Sequence, residues 1–243
     1  DSKKDDRVKV AISTGDVDHA KHVSTILPGM NNVPSEDIKD HVKNAELVNK
    51  HAADNAHISQ DQVATIAWMY DTPQGGQVVS SKYATKASHE IGSALEGMHA
   101  FRHTNGIERA HTSLLGHSYG SMTAGKVAKM VRKGVLDDLV MYGSPGAGAH
   151  DAREYNLDHG RPYVSGIKSD DAVKGKGTLN SKFGNNPMFM PGVKHLANNS
   201  ERDRLFFIPW KMFDRHSEYL EEGTSSLEDI SRVVTNVPVK GEK

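Results

Sequence analysis

Short runs of β-branched and apolar residues alternate along the chain with longer stretches in which apolar residues return every three or four positions. Residues 8–13 (VKVAIS) read as a strand, and His22–Leu27 (HVSTIL) as a second, closed by Pro28-Gly29. A polar stretch follows in which Ile38, Val42, Leu47 and Val48 keep a helical interval, with Ser35 placed as its cap. Val63–Met69 (VATIAWM) is a buried strand ended by Asp71-Thr72-Pro73. Residues 88–103 read as a helix with Ile91, Leu95, Met98 and Phe101 on one face. Residues 111–115 form the next strand, and the helix after it runs to Val131 and Arg132 before Gly134 stops it. Asp138–Tyr142 (DLVMY), 161–167 (RPYVSGI) and 205–209 (LFFIP) complete the strands. A last helix covers 226–235, with Ser225 or Ser226 as its cap.

Apolar strands that alternate with helices predict a mostly parallel sheet covered on both faces, an α/β three-layer sandwich. The 243 residues suit one domain over 8–236, between a polar lead-in (1–7) and a polar tail (237–243). No separate cap domain is expected, because the 146–161 segment is too short for one. The least regular stretch is 173–204, rich in Gly, Asn and Lys, with Phe183, Met188 and Phe189 embedded in it. Two readings stand: a surface helix packed on the sheet, or a lid whose apolar residues line the substrate pocket.

The chemistry begins at residues 116–120, GHSYG. A strand, then Gly-x-Ser-x-Gly, then a helix is the pattern of a nucleophile elbow. The serine sits on a tight turn that lifts its hydroxyl clear. Gly116 and Gly120 leave room for neighbouring backbone, and the helix N-terminus favours a developing negative charge. The alternative for Ser118 is a helix N-cap. A serine nucleophile needs a base, and the base an orienting carboxylate. Sites in such sheets lie beyond the carboxyl ends of the strands. Asp137 and Asp138 precede a strand and fall at the wrong end, whereas Asp170 and Asp171 follow one. Asp171 is preferred because Ala172 and Val173 can anchor its turn, and Asp170 is the alternative acid. In the order serine, acid, histidine, only His195 and His216 remain. His216 follows the last strand and is taken as the base; His195 lies in the loose segment before it. The oxyanion donors expected are the N–H of Tyr119, next after the nucleophile, and that of Met30, in the loop Pro28-Gly29-Met30.

GHSYGS, LPG at a strand end, AWMYDTP, DDLVMYGSPG, the aspartate after YVSGI, and HSEY occur in that order. Together they resemble the α/β-hydrolase superfamily. More narrowly, they are similar to an actinobacterial α/β-hydrolase family catalogued as a domain of unknown function, over residues 8–219. The resemblance implies a Ser118–Asp171–His216 site with Tyr119 and Met30 as oxyanion donors, and brings no substrate with it. Many relatives carry His-Gly after the early strand; this chain has Pro28-Gly29.

Composition removes competitors. With no cysteine there is no disulfide, thiol nucleophile or cysteine zinc site. A net charge of −1 with no dense Lys/Arg run argues against nucleic acid as partner. No apolar run approaches the ~20 residues of a membrane span. The fourteen histidines include no His-Glu-x-x-His, and GSPGAG lacks the phosphate-loop spacing, so neither metal nor nucleotide is expected and no cofactor is called for. The start DSKKDDR, without Met or an apolar signal region, is what a processed secreted form or an excised domain would show. The expectation is a serine hydrolase, carboxylesterase- or lipase-like, acting on a small-molecule acyl substrate. An amidase or peptidase with the same parts, or a non-catalytic binding or scaffolding module of the same fold, are the alternatives.

Overall fold

The computed structural model describes residues 9–158, 160–166, 183–197 and 214–240. Among the described residues seven strands form one sheet: β1 (Val10–Thr14), β2 (His22–Leu27), β3 (Val63–Met69), β4 (His111–His117), β5 (Asp138–Tyr142), β6 (Pro162–Ser165) and β7 (Lys194–His195). Their spatial order is β1-β3-β2-β4-β5-β6-β7. Only β1 runs antiparallel to its neighbour; every other pair is parallel. Four α-helices are described: α1 (Pro34–Ala56), α2 (Lys82–Thr104), α3 (Tyr119–Met130) and α4 (Ser225–Val234).

Side chains of successive strand residues leave opposite faces, so a parallel sheet with continuous apolar strands feeds two cores. Leu27, Leu114 and Met141 pack with Ile91, Leu95, Ala124 and Val127 from α2 and α3. Their neighbours Ile26, Leu115 and Val140 pack the other way, with Ala45, Val48, Leu227 and Ile230 from α1 and α4. This is the expected three-layer sandwich.

Several local expectations shift. Pro34 takes the first position of α1, and Val33 caps it with its N–H held by the Asp37 carboxylate at 2.6 Å, so Ser35 is inside the first turn. In α4 the cap is Thr224, whose Oγ1 accepts from Leu227 N–H at 3.2 Å, one residue before Ser225. Helix α2 starts at Lys82, ahead of the expected 88, and Phe101 is exposed. At about 100° per residue, position 101 lies about 80° off the Ile91 direction, whereas Arg102 returns to within about 20° of it. Arg102 is accordingly buried, and its guanidinium donates to the carbonyls of Val17, Ala20 and Glu108 at 2.7–2.9 Å. His195 lies in β7, paired beside Val164, instead of in a loose segment. The strand expected over 205–209 is outside the described residues, as is most of the 173–204 stretch.

The parallel register aligns the strands' carboxyl ends into one rim. Leu27 stands beside Gly116, His117 beside Tyr142, and Tyr142 beside Ser165. At the centre of that rim β4 turns sharply into α3. Ser118 occupies φ 50°, ψ −122°, a region L-residues avoid at a cost of about 1–3 kcal/mol. Its N–H is held by the Tyr142 carbonyl at 2.9 Å. A Cβ on Gly116 would lie 2.7 Å from the Gly120 carbonyl oxygen, and one on Gly120 would lie 2.6 Å from the carbonyl oxygens of both Leu27 and Pro28. Both glycines of the motif are therefore dictated by backbone packing.

The opposite, amino rim holds Asp137 and Asp138. Asp137 accepts from Arg109 (2.6 Å) and from Thr112 N–H (2.8 Å). Asp138 accepts from Arg161 N–H at 2.8 Å and stands 2.9 Å from His111 Nε2. These aspartates close the amino ends of β4 to β6. Burial opposes charge on His111, but Asp138, and Asp137 beyond it, outweigh burial and hold the imidazole above its ordinary value.

Gly120→Ala is expected to destabilise by about 1–3 kcal/mol or more, since the obstructing atoms are backbone and cannot rotate away. Denaturant melts of the purified variant check it. For His111, a raised folded-state value means its contribution is complete below about pH 6.5 and is lost as pH rises through that raised value. The stability difference between wild type and His111→Gln is therefore expected to shrink from pH 6 to pH 8, measured as urea midpoints at each pH.

Candidate active site

The site is built on the rim where β2, β4 and β5 end. Ser118 is buried yet sits at the N-terminus of α3, where the first N–H groups of the helix, beginning with Tyr119, have no partner within the helix. Gly29, in the loop after β2, comes against it: a Cβ there would lie 3.0 Å from Ser118 Cβ and 3.4 Å from its Oγ. The motif serine, the residue after it and the Pro28-Gly29-Met30 loop are thus brought together.

Tyr119 is fully buried. Its hydroxyl donates to the Ser80 carbonyl at 2.6 Å and accepts from Ala84 N–H at 3.3 Å. Burial pushes the phenol up to about 12, so it remains a donor. Its ring meets Phe183 edge-on, with centroids 6.2 Å apart, in a cluster with Ala84 and Met122 against which Met30, Val78 and Tyr83 pack. Of the three apolar residues expected to line a pocket, Phe183 is in this cluster beside Tyr119, and Met188 is half-buried against the α2–α3 core. Phe189, on the short 3-10 turn Pro187–Phe189, is 78% exposed. Among the described residues of the 173–204 stretch the helical structure is that turn; the remainder of the stretch, on which the two readings differ, lies outside the described residues.

His216 lies in a 3-10 segment, Asp214–Leu220. It is half-buried, and its ring centroid is 4.8 Å from that of His117, the residue immediately before Ser118. His117 Nε2 donates to the His216 carbonyl at 2.6 Å; a carbonyl can only accept, so the Nε2 atom carries the hydrogen. His117 also stacks on Tyr142 at 5.1 Å, and Tyr219 closes the group 6.1 Å away. This aromatic group anchors the segment of residue 216 to the residue beside the serine. Sequence reasoning did not single out His117; its position directly before the motif serine was the one available signal. Asp170 and Asp171 lie outside the described residues. His195 is on β7, whose neighbour β6 separates it from β5.

The loop that carries Met30 is fixed by a network that the sequence did not reveal. Tyr70 OH donates to the Pro28 carbonyl at 3.1 Å and lies 3.0 Å from Thr123 Oγ1. Asn32 Nδ2 donates to the carbonyls of Gly29 (3.2 Å) and Met30 (3.0 Å). Asn31 N–H donates to Pro73 O at 2.9 Å, and Thr72 Oγ1 to Asn32 O at 2.9 Å. Two segments distant in sequence, 28–32 and 70–75, are thereby latched together.

Among the described residues no group of His, Asp or Glu is arranged to hold a metal ion, and no helix is long and apolar enough to cross a membrane. A cleft of about 200 Å³ between α2 and the starts of β2 and β4, lined by Val23, Leu95, Met98, Arg102 and Ile107, opens at the amino rim, the opposite end of the sheet from Ser118.

A family model described as alpha/beta hydrolase matches residues 3–181. An uncharacterized protein of Mycobacterium tuberculosis is 30% identical over 202 residues, covering 80% of this chain and 73% of the relative. A second uncharacterized protein of that organism is 34% identical over 186 residues, 71% of this chain but 26% of the longer relative. Among solved structures, a phospholipase/carboxylesterase from Dyadobacter fermentans aligns with a TM-score of 0.44 and 14% identity, over 88% of this chain and 97% of its own. A Bacillus cereus carboxylesterase gives 0.43 and 11%, over 90% and 96%. The family match spans most of the sequence and agrees with the sheet order and the turn at Ser118: the chain belongs to the alpha/beta hydrolase family.

Proposed function

We propose that this hydrolase is a serine hydrolase that cleaves an ester or related acyl bond, with Ser118 as nucleophile, His216 as general base and Asp171 as the orienting acid. The observation that carries the reading is the backbone of Ser118. A non-glycine residue held at φ 50° on a tight strand-to-helix turn, between the Gly29 loop and a helix N-terminus, is strained for a reason other than packing. An N-cap explanation accounts for it less well, because the Ser118 side chain makes no cap hydrogen bond.

In this reading Ser118 Oγ adds to the acyl carbonyl carbon while its proton passes to His216. The carbonyl oxygen becomes an oxyanion facing the N–H groups of Met30 and Tyr119. Collapse breaks the bond to the leaving alcohol, which takes the proton from His216. Water, deprotonated by the same imidazole, then adds to the acyl-enzyme and releases the acid and free Ser118. Asp171 holds the tautomer and stabilises the imidazolium. Carboxylester hydrolysis leads because it asks least of such a site. The neighbouring Met30, Val78, Tyr83 and Phe183 supply an apolar wall suited to an acyl group.

A fluorophosphonate probe tests this directly. Wild type is expected to label and Ser118→Ala not to; absence of labelling on folded wild type would leave a non-catalytic module of the same fold. With p-nitrophenyl butyrate, Ser118→Ala and His216→Ala are expected to lose at least about 10³-fold in kcat. Asp171→Asn is expected to lose on the order of 10⁴-fold and Asp170→Asn little, the reverse result moving the acid to Asp170. Comparison of butyrate with palmitate esters then reads the acyl length the site accepts.

A further inference from the structure

We infer that Asn32 is a positioning residue that sets the oxyanion donor of this site, acting through the Gly29–Met30 peptide. The inference rests on the serine-hydrolase reading above and adds to it a residue that neither the motif nor the triad supplies.

The argument is one of peptide geometry. A trans peptide is planar, so its carbonyl and its N–H point in opposite directions, and fixing one fixes the other. The carbonyl of Gly29 and the N–H of Met30 belong to the same plane. Asn32 Nδ2 holds that carbonyl at 3.2 Å, on the side away from the donor. The second hydrogen of the same amide holds the Met30 carbonyl at 3.0 Å, while the Asn31 N–H of that next peptide is taken by Pro73 O. One side chain therefore orients two consecutive peptides, and the first of them bears the Met30 N–H. Among the described residues no protein acceptor takes that N–H, in a loop where the neighbouring carbonyls of residues 28, 29, 30 and 32 are all engaged. Gly29 is packed on Ser118, so the plane so fixed lies beside the nucleophile.

The orientation of the Asn32 amide is itself determined. Two carbonyl oxygens face one end, which must be the NH₂; the other end, Oδ1, must accept. His41 Nε2 lies 2.9 Å from that oxygen and so is the donor. Burial is the largest influence on His41 and lowers its value, against Asp37 and Asp40, and the bond to Oδ1 places a hydrogen on Nε2. Helix α1 thus reaches the oxyanion loop through His41 and Asn32. An alanine at 32 would free both peptides, and an aspartate, which has the same shape but no hydrogens to give, would set a carboxylate against two carbonyl oxygens.

The test uses the fluorophosphonate reaction, which requires no knowledge of the natural substrate and develops charge on the phosphoryl oxygen where the oxyanion would form. The limiting rate kinact and the half-saturating concentration KI are measured for wild type, Ser118→Ala, Asn32→Ala and Asn32→Asp, with a thermal melt of each. For whichever Asn32 variant melts cooperatively, kinact is expected to fall about 10- to 100-fold with KI little changed, because a misaimed donor acts only on developing charge. A fall of less than about fivefold, or a rise in KI with kinact unchanged, overturns the inference while leaving the hydrolase reading intact. If wild type shows no Ser118-dependent labelling, it is the hydrolase reading that fails, and this inference with it.

Discussion

The turn at Ser118 is the constraint around which the rest of the structure is arranged. A serine at φ 50°, ψ −122° would relax in a free peptide, so the surrounding structure must hold it there. It is held from three directions. Tyr142 of β5 takes its N–H, Ser121 Oγ donates back to the Gly116 carbonyl at 2.8 Å, and the chain after β2 passes so close to Gly120 that no side chain fits between them. The first and third of these depend on β4 being paired on both sides, to β5 and β2, while the second is local to the turn. A nucleophile on an edge strand would lack one of these walls. The central position of β4, the two glycines and the strained serine are therefore one feature, and the parallel register that aligns Leu27, Gly116 and Tyr142 makes it possible.

What surrounds the turn follows from the same closeness. Because the 28–30 loop must pass within van der Waals contact of Ser118, its peptides cannot bond to the sheet, and they take side-chain partners instead: Tyr70 from the end of β3 and Asn32 from the approach to α1. On the other side, His117 faces the opposite core from the serine loop, where Tyr142 and Tyr219 box it in, and it reaches the carbonyl of His216. The polypeptide that carries the proposed base is thereby tied to the residue adjoining the nucleophile. The proposed reaction asks for both: a donor that does not reorganise as charge appears, and an imidazole kept near the hydroxyl.

Much of this was legible in the sequence where the information is local. The strands β2, β3 and β5 fall where short runs rich in β-branched and apolar residues, each closed by a turn signal, place them. The elbow was legible for the same reason: Gly-x-Ser-x-Gly compresses its steric demands into five positions. The helix starts were not. Val33 caps α1 with no side-chain bond because Pro34 already fixes the first turn, and Thr224 displaces Ser225 by a single place among three adjacent hydroxyl residues. Phe101 was assigned to the buried face of α2 by counting threes and fours, but the drift of the helix hands that place to Arg102, whose guanidinium finds three carbonyls there. β7 is two residues long and owes its existence to β6. At the site, chain order nominates His216 and the Asp170/Asp171 pair, whereas the contacts of His117 and Asn32 are tertiary and leave no mark in chain order. No spacing rule announces an asparagine three residues beyond a glycine as the holder of two peptide planes.

The two rims of the sheet differ in a way that separates stability from chemistry. At the amino rim the charged groups are answered: Arg109 by Asp137, His111 by Asp138, and Arg102 by carbonyls. Such pairing fixes strand ends and leaves little capacity to respond to a ligand. At the carboxyl rim the carbonyls of Pro28, Gly29, Met30 and Asn32 are answered as well, but among the described residues no protein acceptor takes the Met30 N–H, the group that would face the oxyanion in the proposed reaction. A loop with neither half satisfied would collapse onto its own backbone, and one with both halves satisfied would be inert. Holding the carbonyls of Gly29 and Met30 keeps the peptide that bears the Met30 N–H rigid, and in the proposed reaction a rigid dipole would stabilise a charge that exists only in the transition state without first having to turn toward it.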